Sequence, residues 1–87
     1  LWGNPIYDWA AQAATGYRWW VDRVRAALKL FDLVRLDHFL GVSAYWAVPF
    51  GDPTAERGGW RPGPADGLLA ALRAGLGGLP IIAEDLG

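Results

Sequence analysis

The spacing of apolar positions changes along the chain, and each change marks an element. From Tyr17 to Phe31, Trp20, Val24, Ala27, Leu28 and Phe31 fall on one helical face while Arg18, Asp22, Arg25 and Lys29 lie mainly off it, which predicts an amphipathic helix. The run from Asp32 to Phe39 is apolar, carries branched residues and is too short for another helix, so it reads as a buried strand. Helical periodicity resumes from Ala65 to Leu76 through Leu68, Leu69, Leu72 and Leu76, and Gly77 with Gly78 stops it. Leu79 to Asp85 then reads as a second buried strand, with Pro80 tolerable at its beginning.

Two segments lack such periodicity. Residues 1–16 open with turn residues at Gly3, Asn4 and Pro5 and read as a loop with one helical turn near Trp9 to Ala14. Between Gly41 and Pro64 the chain holds five glycines and four prolines around Tyr45, Trp46 and Trp60, which predicts a long loop with a short helical piece near Ser43 to Trp46. Loops of that length inside a compact domain are usually functional. The order helix, strand, long loop, helix, strand is that of a parallel α/β sheet or barrel.

Composition narrows the function classes. The net charge is −1 and the eight basic residues are scattered singly, so no basic stripe exists for nucleic acid. The absence of cysteine excludes disulfides and thiolate metal sites and is compatible with the cytoplasm. No apolar run approaches the roughly 20 residues of a membrane-spanning helix. Six tryptophans are many for 87 residues, and flat indole surfaces either close a core or stack on a ligand such as a sugar. A complete α/β barrel needs roughly 250 residues, so the chain reads as an excised piece, one incomplete domain over residues 1–87.

Strand parity places Leu33, Arg35 and Asp37 on one face and Val34, Leu36 and His38 on the other, with Asp37 and His38 at the C-terminal end. The second strand puts Ile82 and Glu84 on one face, with Glu84 near its end. Active sites of parallel α/β folds are built at that end, so neighbouring strands would deliver one carboxyl group each to a common rim. Their separation would then be roughly 5 to 6 Å, close to the 5 to 5.5 Å that retaining glycosidases use. Arg35 can hold Asp37 ionised for nucleophilic attack, whereas Glu84 has no basic neighbour within ten residues and suits the proton-carrying acid/base.

Structural roles compete with each of these. An acid after a strand also serves as an N-cap or a solvated loop residue, and a lone histidine is more often hydrogen-bonded structure than chemistry. Arg35 within a strand is harder to explain without an anionic partner. The spacing of Asp37, His38, Glu84 and Asp85 matches no metal motif. Ser43, the only serine, lacks the G-x-S-x-G elbow of a nucleophile.

The runs LWGNPIYDW at 1–9, VRLDHF at 34–39, AYW at 44–46 and IIAEDLG at 81–87 resemble, in this order and spacing, the amylomaltases. The resemblance spans essentially the whole chain, and its R-x-D-H-F and A-E-D-L-G blocks are together specific. It implies a (β/α)8 barrel of the α-amylase superfamily, with this piece running from the loop after the third strand to the end of the fifth. The implied activity is 4-alpha-glucanotransferase chemistry: transfer of α-1,4-glucan chains between oligosaccharides by a retaining double displacement, without metal or organic cofactor. The family nucleophile falls on Asp37, its acid/base on Glu84 and its strand arginine on Arg35. His38 matches a histidine near the bound sugar, and Trp2 a tryptophan of the loop lining the glucan groove. Leu40 and Val42 depart from a pattern that often has arginine and an aromatic residue there. The family's third acid lies beyond Gly87, so this piece is expected to be inactive alone. A hydrolase of the same superfamily and a non-catalytic glucan-binding relative are the alternatives.

Overall fold

The computed structural model describes residues 3–84. Two helices open the chain: α1 spans Trp9–Ala14 and α2 spans Arg18–Leu28. The Asp8 carboxylate caps α1 by accepting the Ala11 amide at 3.1 Å, which satisfies one of the donors a helix start leaves open. Tyr17, at φ 57°, breaks the path between the two helices. Strand β1, Val34–Leu36, follows; a 3-10 turn, Phe39–Val42, leads into β2, Ala44–Ala47, and β3, Gly59–Pro62. Helix α3, Ala65–Leu76, ends on Gly77 in the left-handed conformation, and β4 spans Ile81–Ala83.

β1 and β4 pair in parallel, with Val34 opposite Ile81, Arg35 opposite Ile82 and Leu36 opposite Ala83. β2 and β3 form a separate antiparallel hairpin in which Trp46 faces Trp60. The segment expected to be loop with a helical piece at Ser43 to Trp46 therefore holds a hairpin. Its strands pair residues 12 to 18 positions apart, and no local periodicity announces that. The two indoles meet edge-on at 5.5 Å, and Trp46 Nε1 donates to the Ala55 carbonyl at 3.0 Å, closing the long connection across the hairpin's end.

The core lies between α2 and α3. Val21, Val24, Leu68 and Leu72 are buried, and Val34 and Ile81 of the parallel pair pack against them together with Trp20 and Leu76. Gly75 lets the helices approach, and the Arg25 guanidinium, paired with Asp22 at 2.9 Å, donates to the Gly75 carbonyl at 2.8 Å near the end of α3. Phe31, expected on the buried face of α2, lies past the helix end and is exposed. The expected buried strands are half-buried, and on one face only, at Val34, Leu36 and Ile81. Helices cover the Val34 and Ile81 side, whereas Arg35 and Ile82 point to the open side.

Two of the five described tryptophans, Trp9 and Trp20, belong to the core, and Trp19, Trp46 and Trp60 are exposed. Trp9 and Trp20 stack at 5.8 Å, Tyr7 lies 5.2 Å from each, and Trp9 and Trp20 pack on the core. Arg23 sits over the exposed Trp19 ring at 5.2 Å.

Candidate active site at the ends of the parallel pair

The register of β1 and β4 decides the site. Because Leu36 lies opposite Ala83, the next residue of each strand, Asp37 and Glu84, leaves the sheet at the same level. Side chains at matched positions of a parallel pair share a face, so the two candidate acids are delivered to one rim at the C-terminal ends of the strands.

The backbone of Glu84 is held by the turn that contains Asp37. Its amide donates to the Leu36 carbonyl at 3.0 Å, and its carbonyl accepts the Phe39 amide at 2.8 Å. The carboxyl group is tied to the same turn, with Oε2 accepting the main-chain N–H of His38 at 2.6 Å. Glu84 lacks a basic neighbour in sequence, and this amide supplies a partner that side-chain composition does not reveal.

Arg35 projects from the open face of β1, and its Nη2 lies 3.5 Å from Asp37 Oδ1. The side chains are 65 % and 83 % exposed respectively, so the ion pair lies open to solvent over these 87 residues. Sequence points to a buried pair; within these 87 residues only the opposite face of β1 meets helices, which leaves the pair open.

His38 has φ 51° and ψ 49°, the left-handed conformation. Its imidazole lies against Gly41: a Cβ on that glycine would come within 2.8 Å of His38 Cδ2 and 3.1 Å of Nε2. Sequence reasoning passed over Gly41, whose only trace is its place three residues after His38. Trp2, and Asp85 beside Glu84, lie outside the described residues. Among the described residues no three His, Asp or Glu side chains gather as a metal would require. A groove of about 410 Å³ between α2 and α3, lined by Thr15, Arg18, Asp22, Arg25 and Gly75 among others, includes none of the candidate acids. None of the described helices is long and apolar enough to cross a membrane.

Comparison with known proteins gives the chain its family. A family model described as 4-alpha-glucanotransferase matches residues 1–87. The chain belongs to the 4-alpha-glucanotransferase family. It is 54 % identical over 87 residues to the 4-alpha-glucanotransferase of Streptococcus pneumoniae and 53 % identical over 88 residues to that of Synechocystis, covering all of this chain and 17 % of each relative. It is 48 % identical to the chloroplastic/amyloplastic 4-alpha-glucanotransferase of Arabidopsis thaliana, covering 15 % of that protein. Among solved structures, the amylomaltase from Streptococcus agalactiae in complex with acarbose superposes with a TM-score of 0.92 at 45 % identity, over 100 % of this chain and 18 % of that one. The chain thus corresponds to under one fifth of its 4-alpha-glucanotransferase relatives, and over that stretch it has the amylomaltase backbone.

Proposed function

We propose that this chain is the part of a (β/α)8-barrel 4-alpha-glucanotransferase that carries the nucleophile and the acid/base. The observation that carries the reading is the parallel register that sets Asp37 and Glu84 side by side, with the Glu84 carboxyl bound to the turn containing Asp37. In the proposed reaction Asp37 Oδ attacks the anomeric carbon of an α-1,4-glucan as Glu84 gives its proton to the departing glycosidic oxygen. A glycosyl ester on Asp37 results. The Glu84 carboxylate then takes the proton of an acceptor sugar hydroxyl, whose oxygen attacks the same carbon, releases Asp37 and restores the α configuration. Arg35 orients the Asp37 carboxylate, and His38 and Trp2 contact the glucan. The acarbose complex of the Streptococcus agalactiae amylomaltase supports an oligosaccharide ligand for this chain too. With 17 % of the length of its relatives, the chain by itself is proposed to be inactive, and its proposed location is the cytoplasm.

The test is incubation of the full-length protein with maltotriose. Transfer builds a ladder of longer oligosaccharides together with glucose. Products confined to glucose and maltose would instead establish a hydrolase, and no product at all a non-catalytic glucan binder.

A further inference from the structure

The turn that follows β1 does more than present Asp37. Its next residue, His38, adopts positive φ, a region that costs a side-chain-bearing residue free energy and persists where surrounding contacts impose it. Two such contacts are visible. The His38 carbonyl accepts the Gly41 amide at 2.9 Å, closing the 3-10 turn, and the imidazole lies so close to Gly41 that a Cβ there would stand 2.8 Å from His38 Cδ2. The left-handed residue reverses the chain directly after Asp37, and the amides of His38 and Phe39 both turn toward Glu84.

We propose that the main-chain amide of His38, held in the left-handed conformation by the seat of its ring on Gly41, is the positioning group of the acid/base Glu84. The proposal rests on the reading of Glu84 given above and deepens it. An N–H donated to Oε2 makes that oxygen the carbonyl-type acceptor of the protonated acid, which directs the acidic proton to Oε1. Once the proton has passed to the leaving oxygen, the same N–H faces a carboxylate, and the hydrogen bond becomes charge-assisted at the moment it is needed. His38 is bonded to Asp37, so the amide also ties the acid/base to the residue beside the nucleophile. The gap between the two carboxyl groups is then set largely by the backbone.

The experiment separates backbone conformation from the imidazole. In the full-length enzyme, His38→Gly and His38→Val both delete the ring, but glycine accepts positive φ freely while a β-branched residue resists it. Each is assayed with maltotriose, which needs both proton transfers. Each is also assayed with α-maltosyl fluoride and azide, in which fluoride leaves with little protonation and azide attacks the Asp37 ester without a general base. His38→Val should fall at least about tenfold below His38→Gly in kcat/KM on maltotriose yet stay within about twofold of it on the fluoride and azide pair. Equal rates on maltotriose, or equal losses on both substrate pairs, would overturn the proposal. Should His38→Val not accumulate as folded protein, Gly41→Ala against the unaltered enzyme decides by the same comparison, with a loss of about threefold or more confined to maltotriose. A Glu84→Gln control keeps the two readings apart: full maltotriose transfer there would remove the acid/base assignment itself, whatever His38 does.

Discussion

Gly75 of α3 faces Val21 of α2 so closely that a Cβ on the glycine would stand 2.5 Å from Val21 Cγ1. Val21 is buried and branched, so an added methyl at residue 75 would have to push the helices apart or turn the valine toward the groove that both residues line. Gly75→Ala gains helix propensity of about 1 kcal/mol, but overpacking of this kind costs about 1–3 kcal/mol. The expected net result is a lower thermal midpoint for the protein carrying the substitution. Adding Val21→Ala removes the overlap, and a double-mutant cycle by chemical denaturation should show the pair losing less than the sum of the single changes. Additive losses would show that the two helices do not meet through these residues.

The hairpin offers a second test of close approach. A Cβ on Gly58 would overlap Trp46 Nε1 and lie 2.8 Å from the Ala47 carbonyl, so Gly58→Ala should displace the indole from its hydrogen bond to Ala55. That frees the connection between β2 and β3. Limited proteolysis should then cut between residues 48 and 58 at least about tenfold faster, while the α2 and α3 core keeps its protection. An unchanged cleavage rate would contradict the closure role of Trp46.

The two acids make a sharper prediction. Asp37→Asn removes the proposed nucleophile and Glu84→Gln the proposed proton donor, each isosteric enough to leave the fold in place. In the full-length protein either change should lower maltotriose transfer by at least about a thousandfold with glucan binding, measured calorimetrically, nearly unchanged. Azide should restore turnover of α-maltosyl fluoride in Glu84→Gln and not in Asp37→Asn, because only the former retains the attacking carboxylate. Full activity in either variant would remove the assigned roles.

Arg35 is expected to matter for the reaction and hardly at all for stability. Its Nη2 lies 3.5 Å from Asp37 Oδ1, a contact that can orient the carboxylate but is too long for a strong hydrogen bond. Arg35→Lys keeps the charge and loses the planar fork that orients a carboxylate. Transfer should fall by about tenfold or more while the thermal midpoint moves by less than about 2 °C. A large loss of stability with unchanged transfer would reverse this division.

What was readable along the chain follows from how local each interaction is. The bounds of α3 agree with periodicity and punctuation because a helix is stabilised by residues three and four apart and stopped by a neighbour such as Gly77. The strands around Arg35 and Ile82 follow from their apolar runs, though three residues long in each case, and strand parity together with the family resemblance brings Asp37, Glu84, Arg35 and His38 forward. Burial was legible only on the face that helices cover. The hairpin was not legible at all, since Trp46 finds Trp60 across a gap rich in glycine and proline. Above all, only the tertiary structure decided how the acids are held. The parallel register aligns Asp37 with Glu84, and the left-handed His38 turns its amide onto Oε2. These relations depend on residues about 46 positions apart meeting through the backbone, which no pattern of side chains along one strand can encode.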